Sequence, residues 1–133
     1  MLLKTVENKI LKEFPSLSYS VNVEDHIISI NEMHPEVGSI DIQDDIDELI
    51  VFVGNFTHMH IDCYDESKSK EEKEESMATS ITEFLHDLFN NEIVLWGSHD
   101  NGGGFYHKKE ATPDELSFSN KHKLYQWSGP ICS

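Results

Sequence analysis

A chain of 133 residues with a formal net charge of −15, and with lysine in all ten basic positions, repels nucleic-acid phosphate and anionic lipid and favours cationic partners. Lacking arginine, it has neither a bidentate guanidinium clamp nor an arginine finger, which removes the usual parts of a phosphoryl-transfer site. The length suits one domain over residues 1–133, no apolar run nears the roughly 20 residues that span a bilayer, and Cys63 and Cys132 are too few for a disulfide framework, so a cytoplasmic protein with reduced thiols is expected.

The first element is a short amphipathic helix. Leu3, Val6, Ile10 and Phe14 recur at helical spacing, Lys4, Glu7, Lys9 and Lys12 lie elsewhere on its surface, and Pro15 stops it. Tyr19, Val21 and Val23 then alternate with polar residues, and residues 26–31 are rich in isoleucine. With Glu24 and Asp25 between them, these read as two strands of a hairpin. After a loop at residues 33–36, strands are expected at 39–43 and 49–53. A bulge or turn at Gly54-Asn55 precedes a further strand over 56–64.

The clearest helix runs from Ser69 to about Phe89. Ser69 with Glu72 three residues on is a capping-box pattern, acids crowd the first turn, and Met77, Ile81, Phe84, Leu85 and Leu88 make an apolar stripe. Asn90-Asn91 ends it. A buried strand at 93–97, a glycine loop at 101–104, a strand at 105–108 and a short strand at 124–127 complete the chain. This order predicts an α+β fold: a mainly antiparallel sheet of about five to seven strands, with the N-terminal helix and the long central helix packed on one face.

Charge is distributed unevenly over these elements. Between Lys12 and Lys68 there are 13 carboxylates and no lysine, and residues 1–66 carry 14 acids against three lysines. Glu36, Asp41, Asp44, Asp45, Asp47 and Glu48, extended by Asp62, Asp65 and Glu66, are the candidate surface for a basic protein partner, because opposite fields steer association. Such a protein needs no cofactor.

A different chemistry is available in Thr57-His58-Met59-His60-Ile61-Asp62. Positions two apart on a strand share a face, so His58, His60 and Asp62 would project together as a half-site for zinc or another divalent metal, which His99 or His107 could complete. The string resembles the T-H-x-H-x-D motif of the metallo-β-lactamase superfamily, which would imply zinc at the two histidines and a second zinc at the aspartate. It departs from that motif at Cys63, where many members carry another histidine, and the chain is shorter than that two-part fold requires. Nucleophilic catalysis has little support: Cys63 follows Asp62 without the electropositive surroundings a thiolate needs, and there is no G-x-S-x-G elbow.

In size, acidity and layout the chain is similar to small bacterial proteins that resemble the immunity partners of polymorphic or contact-dependent toxins. That resemblance implies a non-enzymatic inhibitor of a basic toxin, a nuclease for example, and carries no site residues with it. The alternative expectation is a small metal-binding protein or metal-dependent hydrolase built on His58, His60 and Asp62.

Overall fold

The computed structural model describes residues 2–98, 100, 102–114, 116 and 122–131. Helix α1 (Leu2–Glu13) buries Leu2, Leu3, Val6 and Ile10. Its first turn holds no acid of its own. The carboxylate of Asp44 fills that role from a distant strand, accepting from the Leu3 N–H at 3.3 Å where the helix dipole favours negative charge.

A five-strand meander follows: β1 (Tyr19–Asn22), β2 (Ile27–Ile30), β3 (Ile40–Asp44), β4 (Glu48–Val53) and β5 (Thr57–Asp62). The strands pair antiparallel with their chain neighbours, in the order β1-β2-β3-β4-β5. Local chemistry makes each turn. The Asn22 side chain accepts from the Asp25 N–H in the first hairpin, and Gly54 takes a φ of 55° between β4 and β5. A Cβ on Gly54 would lie 2.1 Å from the Val37 carbonyl oxygen, so both the φ and the close approach require glycine there.

Helix α2 (Lys70–Phe89) begins at the expected capping box. The Ser69 hydroxyl accepts from the Glu72 N–H at 3.2 Å, and the Glu72 carboxylate accepts from the Ser69 N–H at 3.0 Å. These bonds hold the Glu72 carboxyl below the usual range. The buried stripe includes Met77, Ala78, Ile81, Leu85 and Leu88, as the spacing implies.

After α2 come β6 (Ile93–Ser98), β7 (Gly102–His107), β8 (Leu124–Gln126) and β9 (Gly129–Pro130). They form a second antiparallel sheet in the order β7-β6-β8-β9. The fold is thus α+β and antiparallel as expected. It differs in having, among the described residues, nine strands divided between two sheets. The expected glycine loop is also revised. Gly102, Gly103 and Gly104 belong to β7, paired with Ser98, Gly97 and Trp96. Backbone proximity explains Gly103, where a Cβ would lie 2.4 Å from the Phe56 carbonyl oxygen at the corner where the two sheets meet, and a Cβ on Gly104 would lie 3.0 Å from the Trp96 ring.

One hydrophobic cluster joins these parts. Ile28, Ile30, Ile40, Ile42, Leu49, Val51 and Val53 of the larger sheet are all 0 % exposed. They meet α1, which lies against β2 and β3, and α2, which lies against β5 and α1. Aromatic contacts tie in the second sheet: Phe84 to Phe105 at 5.2 Å, Phe56 to Tyr125 at 5.1 Å, and Phe89 to Trp127 at 5.4 Å between ring centroids. No helix among the described residues is long and apolar enough to cross a membrane.

Candidate functional site

With both helices on one side of the β1–β5 sheet, the alternate residues of the same strands face away from the core. Register aligns them in rows. One runs Ser20, Ser29, Asp41, Phe52, His58, and the next runs Asn22, Ile27, Gln43, Ile50, His60. Glu48 stands opposite Asp62 at the end of the β4–β5 pair. Ser20, Asn22, His58, His60 and Asp62 are exposed, and the others in these rows are half-buried by their neighbours.

The composition of this face departs from a simple polar-out pattern in two ways. Ile27, Ile50 and Phe52 are large apolar side chains that point outward and take no part in the core cluster. No lysine is present either, because the whole sheet lies within the lysine-free stretch between Lys12 and Lys68. The strand expected at 49–53 carries no local mark that Ile50 and Phe52 turn to the open face. The parity of β3, with Ile40 and Ile42 inward and Asp41 outward, was the available signal.

The predicted acids separate into three kinds. Asp44 points inward and anchors α1, and it also accepts from the Ile46 N–H at 2.9 Å. Asp65 accepts from both the N–H and the hydroxyl of Ser67, which hold its carboxyl below the usual range. These two carboxylates are occupied by the chain itself. Glu36 lies beyond the opposite end of β3 from Asp45, in the loop before that strand, and its carboxylate is 3.6 Å from the Lys123 ammonium and 4.0 Å from His34. Asp41 lies on the outward face, Asp45, Asp47 and Glu48 form and follow the β3–β4 turn, and Asp62 completes the acidic end. Glu66 is exposed just beyond β5.

Tyr64, 71 % exposed, reports on that end. Its phenol is pushed above the ordinary tyrosine value, first by the charge of Asp62, then by partial desolvation, then by Glu48, with a smaller contribution from Asp47. Ile46 stands at the tip of the same turn, 82 % exposed, with a φ of 69°. A β-branched residue in the left-handed region is strained, and here the Asp44 carboxylate and a 2.8 Å bond from the Asp47 N–H to the Asp45 carbonyl hold it.

His58, His60 and Asp62 do project from one face of β5, as expected. The His58 and His60 rings are 5.5 Å apart, and His60 Nδ1 lies 3.1 Å from a Glu48 carboxylate oxygen. His107 does not join them. It sits at the far end of β7 from the glycines, with Nε2 3.5 Å from the Asp87 carboxylate of α2. His99 lies outside the described residues, as does Cys132. Among the described residues no three His, Cys, Asp or Glu side chains are grouped to hold a metal ion. Cys63 is free and half-buried against the core.

No protein-family model, no curated protein sequence and no solved structure matches the chain.

Proposed function

We propose that this chain is a non-enzymatic binding protein of the immunity type, acting in the cytoplasm by stoichiometric capture of a basic protein such as a nuclease toxin. One observation carries the reading. The entire five-stranded sheet falls within the lysine-free stretch, so its open face and its β3–β4 end offer Asp41, Asp45, Asp47, Glu48 and Asp62 with no lysine on any of its strands. Such a surface raises encounter rates with a cationic protein and disfavours acidic ones. Basic proteins that act on nucleic acid are the partners this field suits.

The test is co-purification from the native cell, followed by reconstitution with whatever basic protein co-elutes. A one-to-one complex is expected, with an association rate that falls steeply between low and physiological salt. Salt-insensitive association, or co-purification of no basic protein, would refute the proposal.

A second reading is favoured by the shared face of His58 and His60, whose rings are 5.5 Å apart with Asp62 two residues on. In it, zinc or another divalent metal binds there for structure or hydrolysis. Elemental analysis of protein purified without a histidine tag decides it: stoichiometric metal that is lost in His60→Ala supports the metal, and metal-free protein excludes it.

A further inference from the structure

A sheet covered on one face and wet on the other ordinarily alternates apolar-in and polar-out. The β1–β5 sheet obeys this inward, where seven aliphatic side chains are 0 % exposed, and breaks it outward at Ile27, Ile50 and Phe52. These three are not spare core. They stand on the side away from both helices, and the core is complete without them. Register puts Ile27 and Ile50 in one row across the sheet, flanking Gln43, while Phe52 lies two residues along β4 with Asp41 on one side and His58 on the other. The Phe52 and His58 rings are 6.0 Å apart. Around this apolar centre stand Asp41, Glu48 and Asp62.

Resting on the binding reading above, we propose that the outward face of the β1–β5 sheet is the docking surface for a basic protein segment, with Ile27, Ile50 and Phe52 as its apolar centre and Asp41, Glu48 and Asp62 as its charged rim. An apolar, aromatic-bearing centre inside a polar rim is the composition by which protein interfaces concentrate binding energy. Charge complementarity selects the occupant. The face holds carboxylates and no lysine, so apolar side chains flanked by lysine or arginine match it, and a second copy of this chain, at −15, is repelled. Two other surfaces fit this occupant less well. The groove between the β3–β4 turn and α2, lined by Ile46, Cys63, Tyr64 and Met77, has Lys70 and Lys73 in its wall, which offset its Asp47 and Glu74. The groove formed by Phe14, Leu17, Met33, Phe89 and Trp127 is apolar without a carboxylate in its lining.

The experiment titrates the isotopically labelled full chain with three synthetic peptides of equal length: alternating lysine–leucine, alternating lysine–serine, and alternating glutamate–leucine. The lysine–leucine peptide is expected to bind about tenfold more tightly than the lysine–serine peptide and to shift the amide signals of Ile27, Asp41, Ile50, Phe52 and His58. The glutamate–leucine peptide is expected not to bind. The double variant Ile50→Thr, Phe52→Thr should erase the tenfold preference, and the triple variant Asp41→Asn, Glu48→Gln, Asp62→Asn should weaken both cationic peptides. Ile27→Thr, on the neighbouring side of the patch, supplies the same readout if the double variant fails to fold. Signal shifts confined to either groove, or an undiminished preference in the threonine variants, would overturn the docking face and leave the cationic-partner reading standing. Failure of both cationic peptides to bind overturns the face together with that reading.

Discussion

The two faces of the β1–β5 sheet are made from alternating residues of the same strands, yet they answer to different constraints. Inward, the three central strands β2, β3 and β4 present Ile28, Ile30, Ile40, Ile42, Leu49, Val51 and Val53, all fully buried in the core with α1 and α2. Outward, it mixes three large apolar groups, three carboxylates and two histidines, with no lysine. Core packing explains the first composition, because close-packed interiors penalise any lost methyl group. Core packing does not dictate the second, since Ile27, Ile50 and Phe52 lie outside the core cluster. Side chains on a wet sheet face tolerate wide substitution, so an outward apolar centre ringed by acids is informative where an inward one is not.

The sharpest way to break this contrast is to truncate each face. Ile42→Ala on the inner face should cost about 2–5 kcal/mol in urea unfolding, through lost burial and a residual cavity. Ile50→Thr on the outer face should cost less than about 1 kcal/mol, within the range of surface changes. Equal losses would mean that the outer face is structural too.

The carboxylates allow the same comparison at smaller scale. Asp44→Ala should destabilise by about 1 kcal/mol, because the first turn of α1 loses its acceptor and the Ile46 N–H loses its partner. Asp41→Asn, on the open face, should leave the unfolding midpoint nearly unchanged. At the end of the sheet where the faces meet, Ile46→Gly should stabilise by about 1 kcal/mol, since it relieves a φ of 69° at a residue 82 % exposed. No gain there would show that the Ile46 side chain supports the fold.

The smallest effect is a titration. Absorbance at alkaline pH should show Tyr64 ionising above the ordinary value of 10.0, and Asp62→Asn should move it back down, since the Asp62 charge is the largest cause. The raised folded value means that this group's contribution to stability is present below the ordinary tyrosine pKa and is lost as pH rises through the raised one. An unmoved titration in the variant would place Tyr64 away from the acidic end.

Much of the fold could be read from residue order. Leu3, Val6 and Ile10 marked α1, the Ser69 and Glu72 pair marked the start of α2, and alternation marked β1 to β3, because these signals act within a few residues of chain. The glycines at 102–104 suggest a loop from sequence because what Gly103 avoids, the Phe56 carbonyl oxygen, is 47 residues away in the chain. That His107 could complete the β5 half-site is not met for a similar reason, because strand pairing carries it along β7 to Asp87.

By itself the sequence determined the α+β class, the helix boundaries set by caps and proline, and the concentration of carboxylates in a lysine-free stretch, all consequences of local propensity and composition. Only the tertiary structure decided that this stretch becomes one whole sheet, that strand parity turns Ile50 and Phe52 outward beside Asp41, and that Asp44 is withdrawn to hold a helix. Those outcomes depend on register and on which face the helices cover, and both are fixed by contacts between residues far apart in the chain.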